Sequence, residues 1–366
     1  MRRQVQPEKL REARERLGVT TRVLSSRMHL EFGLSISHVA ISKMERGLLG
    51  ASEGYLNALV GLTSLSADWF QKSDQPMVGI RYRALATQSV SAKSCFEAAA
   101  RPWVRLFLEV FRISGEQDDA KFRVRAAADE TAKALANRLR SIYGFGEYPI
   151  PSLARVLENS GTRVIQLTAE RGIDAFSAFV GDQPVVVVNS ELPADRMRLT
   201  LAHELAHVLY GDLNDNKSES ARIESRAFEF ASCFLVPDEP LREAFKGQSM
   251  VKLLQYKERY GVSLAAMIYR GKRLGLLSDS VYRKLWRQFT QLGWRKQEPG
   301  KVAPDRPLRM EALLDQVVQQ RKSTYKELAH LAGLPEPEIR SRILQAMNAT
   351  DPVYDHQAPD VFRFTS

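Results

Sequence analysis

The sequence predicts a multidomain protein: an all-α head, an α+β core and a helical C-terminal region. Three observations lead there. A chain of 366 residues exceeds what one ordinary hydrophobic core organises. Apolar residues recur at helical spacing at both ends. Between them lie short β-branched runs such as "PVVVVN", bounded by turn residues, which read as strands among helices. With 44% hydrophobic and 26% charged residues the composition is that of a globular protein. No apolar stretch approaches the roughly 20 residues that a membrane helix needs, so no membrane partner is expected. The opening "MRRQVQPEKLREARERLG" lacks the apolar centre of a signal peptide, and only Cys95 and Cys233 are present. A cytoplasmic, reducing location is therefore expected.

In the head, assigned to residues 1–75, Leu10, Ala13 and Leu17 share one helical face, and Leu24 with Met28 continues a second short helix. The stretch "SISHVAISKMERG" follows, with Ser37 as N-cap, Val39, Ile41 and Met44 facing inward and Gly47 as the stop. This pattern resembles the helix-turn-helix of the Cro/C1 (Xre) repressor family over roughly residues 6–72, with "MHLEFGLSIS" longer than the usual tight turn. The resemblance implies DNA binding: Ser37, His38 and Ser42 would meet base edges, and Lys43 and Arg46 phosphates.

The segment "FQKSDQPMVGIRYRALATQ" breaks the helical pattern with Pro76 and Gly79 and reads as the domain boundary. The core is assigned to residues 76–250. Two long helices are expected at about 92–113 and 119–142, then a helix in "IPSLARVLENSG" and strands in "TRVIQLTA", "AFSAFVG" and "PVVVVN". "AFSAFVG" is expected to offer a strand edge along which an extended peptide pairs.

The stretch "LAHELAHVLYGD" places two histidines four apart around a glutamate. Residues four apart share a helix face, so His203 and His207 can aim their imidazoles at one Zn2+ ion. Glu204 stands beside them as general base, taking a proton from the attacking water and returning it to the departing amine. A third protein ligand comes from "IESRAFEFASCFLVP", where Glu224, Ala227 and Ala231 follow helical spacing; Glu219 and Glu229 compete, and Glu229 is turned away from that stripe.

"MRLTLAHELAHVLYGD" followed by "IESRAFEFASCFLVP" resembles the ImmA/IrrE family of zinc metallopeptidases over about residues 76–300. The resemblance implies a zincin-like core of the HExxH gluzincin type. In it His203, His207 and Glu224 hold zinc and Glu204 is catalytic. It also implies an Xre-like domain ahead of the peptidase and a partner repressor as substrate. Leu199 stands for the family's Phe, Ala206 for Gly, and Gly211 where a third histidine often occurs. That last departure leaves the oxyanion-stabilising group open, with Tyr210 and Arg226 as candidates.

The net charge of +10 is concentrated in residues 252–301, which hold 12 basic and 3 acidic side chains. That stretch opens the basic C-terminal region, assigned to residues 251–350. It interleaves Arg283, Lys284 and Arg287 with Tyr256, Tyr260, Tyr269, Tyr282, Trp286 and Trp294, which suits either nucleic-acid contacts or an amphipathic helix pair with an aromatic core. Beyond a proline-rich break at 299–307, helices are expected at about 309–321 and 325–332, the second opened by a Thr324/Glu327 capping box. Residues 351–366 read as a disordered tail.

Cys95, just after the boundary, is a candidate inhibitory ligand for the open zinc position; the plainer reading is a small side chain packed beside Phe96. The function expected is a zinc-dependent regulatory endopeptidase. It would cleave a transcriptional repressor, a small helix-turn-helix protein, to derepress a stress, mobile-element or phage-defence operon, with DNA, double- or single-stranded, as partner and stimulant. The rival is a DNA-binding transcription regulator whose peptidase-like part serves as a sensor or partner-binding module.

Overall fold

The computed structural model describes residues 5–72, 75–119, 124–212, 220–247, 249–295 and 297–348. The expected tail at 351–366 and the competitor Glu219 lie outside these residues.

The head is built of α1 (Pro7–Arg16), α2 (Thr21–Phe32), α3 (His38–Glu45), α4 (Glu53–Thr63) and a single 3-10 turn at Ala67–Gln71. Thr20, Ser37 and Ser52 cap α2, α3 and α4 by accepting from backbone N–H groups in the first turn. Gly33 ends α2 in the left-handed conformation (φ 66°), a backbone glycine adopts without strain. Residues 33–37 are the long connection expected between α2 and α3. Leu10, Leu24, Met28, Ile41, Met44, Tyr55 and Leu59 pack a separate small core.

The rest of the chain is mixed α/β. It runs β1 (Met77–Ala84), α5 (Val90–Ser114), α6 (Ala132–Ile142), α7 (Leu153–Asn159), β2 (Arg163–Leu167), β3 (Ile173–Val180), β4 (Gln183–Asn189) and α8 (Ala194–Tyr210). Then follow α9 (Ser220–Leu235), α10 (Asp238–Phe245), α11 (Met250–Tyr260), α12 (Leu264–Arg273), α13 (Asp279–Gln291), α14 (Arg309–Gln319), α15 (Tyr325–Ala332) and α16 (Glu336–Met347). The sheet order is β1-β3-β4-β2, with β2 parallel to β4 and the other pairs antiparallel.

Side chains alternate across a strand, so each face of the sheet collects its own core. Val164, Ala175, Val186 and Val188 face α8, α9 and α11–α13. Ile165, Phe176, Val185 and Val187 face α5 and α14–α16. The chain on either side of residue 250 thus shares both cores. The proline-rich break is a strap held at Asp305, whose carboxylate accepts from Ser152 Oγ (2.8 Å) and the Leu153 and Ala154 N–H groups (2.6 and 3.1 Å). Arg198 of α8 donates to the same buried carboxylate at 2.8 Å, which ties the site-bearing helix to the strap.

Three expectations need correction. The boundary segment contains strand β1, with Gly79 (φ 65°) at a register shift in its pairing with β3. The helix expected at 119–142 begins only at Ala132, because the chain before it pairs with the end of α8: Ala126 N–H donates to the Leu209 carbonyl (2.9 Å) and Arg125 to that of Val208. "AFSAFVG" belongs to β3, which is paired on both sides by β1 and β4, so it offers no free edge for a peptide.

Candidate metal centre

The helix α8 is buried along nearly its whole length, so its polar residues stand out against an apolar background. Leu201, Leu205 and Leu209 pack toward the sheet, and His203 and His207 share another face one turn apart. Opposite them, Ala227 and Ala231 of α9 are small and buried, which lets α9 lie close and bring Glu224 to the histidines.

One ligand atom each from His203, His207 and Glu224 falls within 4.8 Å of the others. The two Nε2 atoms are 3.2 Å apart, and the Glu224 carboxylate oxygens stand 3.1 Å from His203 Nε2 and 3.6 Å from His207 Nε2. Zinc arms of about 2.0–2.1 Å at the tetrahedral angle would set donors roughly 3.3 Å apart. The three side chains therefore have the spacing of ligands to one cation.

The tautomer of His207 supports this fit. Its Nδ1 donates to Asp212 Oδ1 at 2.8 Å, so in the neutral ring Nε2 carries a lone pair, and that lone pair points at the nitrogen of His203. Two imidazole nitrogens and a carboxylate turned on one point suit a positive ion. Asp212 is 2% exposed and also accepts from Arg226 at 3.0 Å. A carboxylate behind a ligating histidine fixes ring orientation and raises ligand basicity.

Gly211 explains the missing third histidine. It ends α8 at φ 69°, the left-handed conformation that turns the chain so that Asp212 meets His207. A side chain at that position would be strained.

Burial lowers the pKa of His203 below the ordinary histidine value, against the pull of Glu224. Burial has the largest single influence on His207 too, but the Asp212 hydrogen bond and the Glu204, Asp212 and Glu224 charges together raise its pKa. Burial also pushes Glu224 up, and the His203 hydrogen bond with the neighbouring cationic groups outweighs it, leaving Glu224 below the usual carboxylate range. Glu204 is 2% exposed, and its charge acts on both histidines.

Other candidates lie elsewhere. Glu229 is half exposed and 3.7 Å from Arg273. Arg226 is committed to Asp212 and stacks 3.8 Å over the Tyr210 ring, whose hydroxyl turns toward the Glu130 carbonyl. Cys95 is half-buried on α5, the helix packed on the sheet face opposite α8, and does not join the metal-binding group. Beside it Phe96 packs edge-on against Phe176. On α3, Ser37, Lys43 and Arg46 are exposed and His38 and Ser42 half-buried, with Ser37 Oγ occupied as the helix cap. Arg283, Lys284 and Arg287 are exposed on α13, whereas Tyr282, Trp286 and Trp294 are partly buried and pack against the core.

One residue at the site escaped the sequence reading. Asp212 had a local signal, an acid just past the helix-ending glycine after His207.

Residues 157–272 match the peptidase family described as the IrrE N-terminal-like domain. This supports the ImmA/IrrE resemblance for that segment, a metallopeptidase-like fold and a peptidase-like regulatory role. No curated protein matches the chain. Among the described residues no helix is long and apolar enough to cross a membrane.

Proposed function

We propose that this protein is a zinc-dependent regulatory endopeptidase of the HExxH gluzincin type, which cleaves a small helix-turn-helix repressor and so derepresses a stress, mobile-element or phage-defence operon. The observation that carries the reading is the convergence of His203, His207 and Glu224 beside Glu204 on a buried helix. A zinc ion held by those three would supply Lewis acidity, polarising the scissile carbonyl and acidifying water. Glu204 takes the proton of the attacking water and delivers it to the amine as the C–N bond breaks. Asp212 keeps the His207 ring in its ligating tautomer.

The head resembles a DNA-binding module, and exposed cations lie on α3 and α13. DNA bound there brings the enzyme to a repressor seated on its operator and stimulates the cut.

The reading is tested on the whole chain with a helix-turn-helix repressor offered as substrate. Glu204→Gln keeps one zinc per chain, because this residue is not a ligand, and loses cleavage by roughly 10²–10⁴-fold or more. Glu224→Ala loses both zinc and cleavage. An active Glu204→Gln protein ends the peptidase reading.

A further inference from the structure

Amide hydrolysis needs a group to hold the negative charge that develops on the scissile carbonyl oxygen. Tyr210 and Arg226 are turned away from that task by their contacts with Glu130 and Asp212. Strand β1 brings another group. Arg83 pairs in register with Ala175, and Tyr82 with Phe176. Ala175 belongs to the core under α8 and Phe176 to the core under α5, so alternation sends Arg83 to the α8 face of the sheet.

There the guanidinium lies 4.7 Å over the ring of Phe228, whose edge meets the ring of His203 at 4.4 Å. The charge of Glu204 acts strongly on it. Its Nε and Nη1 atoms are buried without a hydrogen bond. Its ion-pair partner, Asp174 at 3.5 Å, is shared with Arg196, which donates to that carboxylate at 2.9 Å, and the Glu204 and Glu224 charges also act on Arg83. Three acids thus balance the charge around Arg83, but its Nε and Nη1 hydrogens still lack an acceptor. A desolvated cation with unsatisfied donors is costly unless an anion completes it.

The surroundings say where that anion comes from. Arg83 lines a cavity of about 810 Å³ together with Arg196, Leu199, Trp286 and Trp294. Arg196, Leu199 and His203 follow at i, i+3 and i+7 on α8, so the cavity runs along the helix face that carries the metal-site histidine. Arg83 lines the cavity and reaches toward His203 through the ring of Phe228.

We propose that Arg83 is a further catalytic residue: its guanidinium donates to the oxyanion of the scissile peptide bond held beside His203 and Glu204, with the flanking peptide running into this cavity. As water adds to the carbonyl carbon, the C–O π pair moves to oxygen and Arg83 holds the charge while Glu204 takes the water proton. When the pair returns, the C–N bond breaks and the amine leaves with the proton from Glu204. The inference rests on the peptidase reading above. The match to the IrrE N-terminal-like domain begins at residue 157, so β1 lies outside it.

The test uses the full chain loaded with zinc and a phosphinic peptide, whose tetrahedral anionic PO₂⁻ group copies the developing oxyanion. Zinc affinity is measured separately, by competition with a chromophoric chelator. Arg83→Met is expected to leave zinc affinity unchanged and to weaken phosphinic peptide binding roughly 10²–10³-fold, the cost of one lost oxyanion donor. It lowers kcat for repressor cleavage by a similar factor with KM unchanged. Arg196 still covers Asp174 in this variant. Arg83→Lys keeps the charge and the stem packed on Phe228, and recovers part of the loss; it carries the test if Arg83→Met does not fold. Unchanged phosphinic binding in a zinc-loaded variant, or a rise in KM alone, overturns the assignment. A wild-type chain that binds no zinc overturns the peptidase reading instead.

Discussion

Two buried glutamates, one in the head and one in the core, carry the same charge in opposite circumstances. Glu45, from the E-R-G ending of the head's motif, is 8% exposed and accepts from Arg14 Nε at 2.6 Å and Nη2 at 2.9 Å. This bidentate pair joins α3 to α1. Glu204 is 2% exposed and forms no hydrogen bond or ion pair among the described residues. A buried carboxylate matched by a fork of donors is an internal tie, and one whose oxygens accept no hydrogen bond, although charges of Arg83, His203 and His207 surround it, keeps those oxygens open to a proton from outside. Both glutamates belong to recognisable sequence motifs. Only the satisfaction of their oxygens separates the tie from the residue proposed as the base.

The comparison breaks most easily at the tie. Glu45→Ala takes the bidentate carboxylate from half-buried Arg14, which keeps Glu15 at 3.8 Å and the Val19 carbonyl at 3.0 Å, and losing such charge-assisted hydrogen bonds costs about 1.5–3 kcal/mol. Denaturant unfolding followed at Trp69, which sits in the head core, should show that loss while zinc content stays at the wild-type level. The head touches the core through ion pairs such as Glu12 with Arg105 at 2.8 Å. If Glu45→Ala also empties the metal site, the head and core fold as one unit and the contrast between the two glutamates loses its meaning.

A smaller effect sharpens the other side. Asp212 is tied like Glu45, to His207 and Arg226, yet its tie serves the site. Asp212→Asn can accept from His207 but carries no charge, and changes behind a ligating histidine typically weaken metal binding 10–100-fold. Zinc affinity should fall within that range with the melting temperature of the zinc-loaded protein nearly unchanged. A full-strength site in Asp212→Asn would make this carboxylate a helix-end fixture only.

These cases also separate what was legible in the sequence from what was not. The grouping of His203, His207 and Glu224, which could hold a metal ion, was legible because its spacing is local: i, i+4 on α8 and a small-residue stripe beside Glu224 on α9. The capping box at Thr324 and Glu327 was legible for the same reason. Arg83 was not, because its position depends on pairing between strands some ninety residues apart, and because Gly79 and Pro76 mark both a turn and a bulged edge strand. The unpaired edge read into "AFSAFVG" failed likewise, since an edge is a property of the whole sheet. The helix expected at 119–142 carried helical spacing, but Ala126 finds its hydrogen-bond partner in Leu209, more than eighty residues on. Local periodicity cannot see such a competitor.

A third buried glutamate, intermediate between the first two, gives the smallest and most graded effect. Glu158, at the C-terminal end of α7, is 5% exposed and accepts from the Arg309 N–H at 3.2 Å. Burial pushes its pKa up to about 8, only partly offset by that hydrogen bond and by the Arg309 charge. The folded protein therefore keeps a proton on Glu158 at pH values where the unfolded chain, with a carboxyl near its ordinary value, has released it. The stability that this proton supplies is complete below the unfolded pKa and is lost as pH rises toward the folded one, by at most about 1.4 kcal/mol for each pH unit between them. Glu158→Gln is neutral throughout and keeps an oxygen for the Arg309 N–H. Melting temperatures of the two proteins at pH 5, 6, 7 and 8 should diverge: the wild type loses ground steadily against Glu158→Gln as pH rises, with the largest gap at pH 8. Parallel curves would mean that Glu158 ionises in the folded state at its ordinary pKa and that Arg309 satisfies it as fully as Arg14 satisfies Glu45.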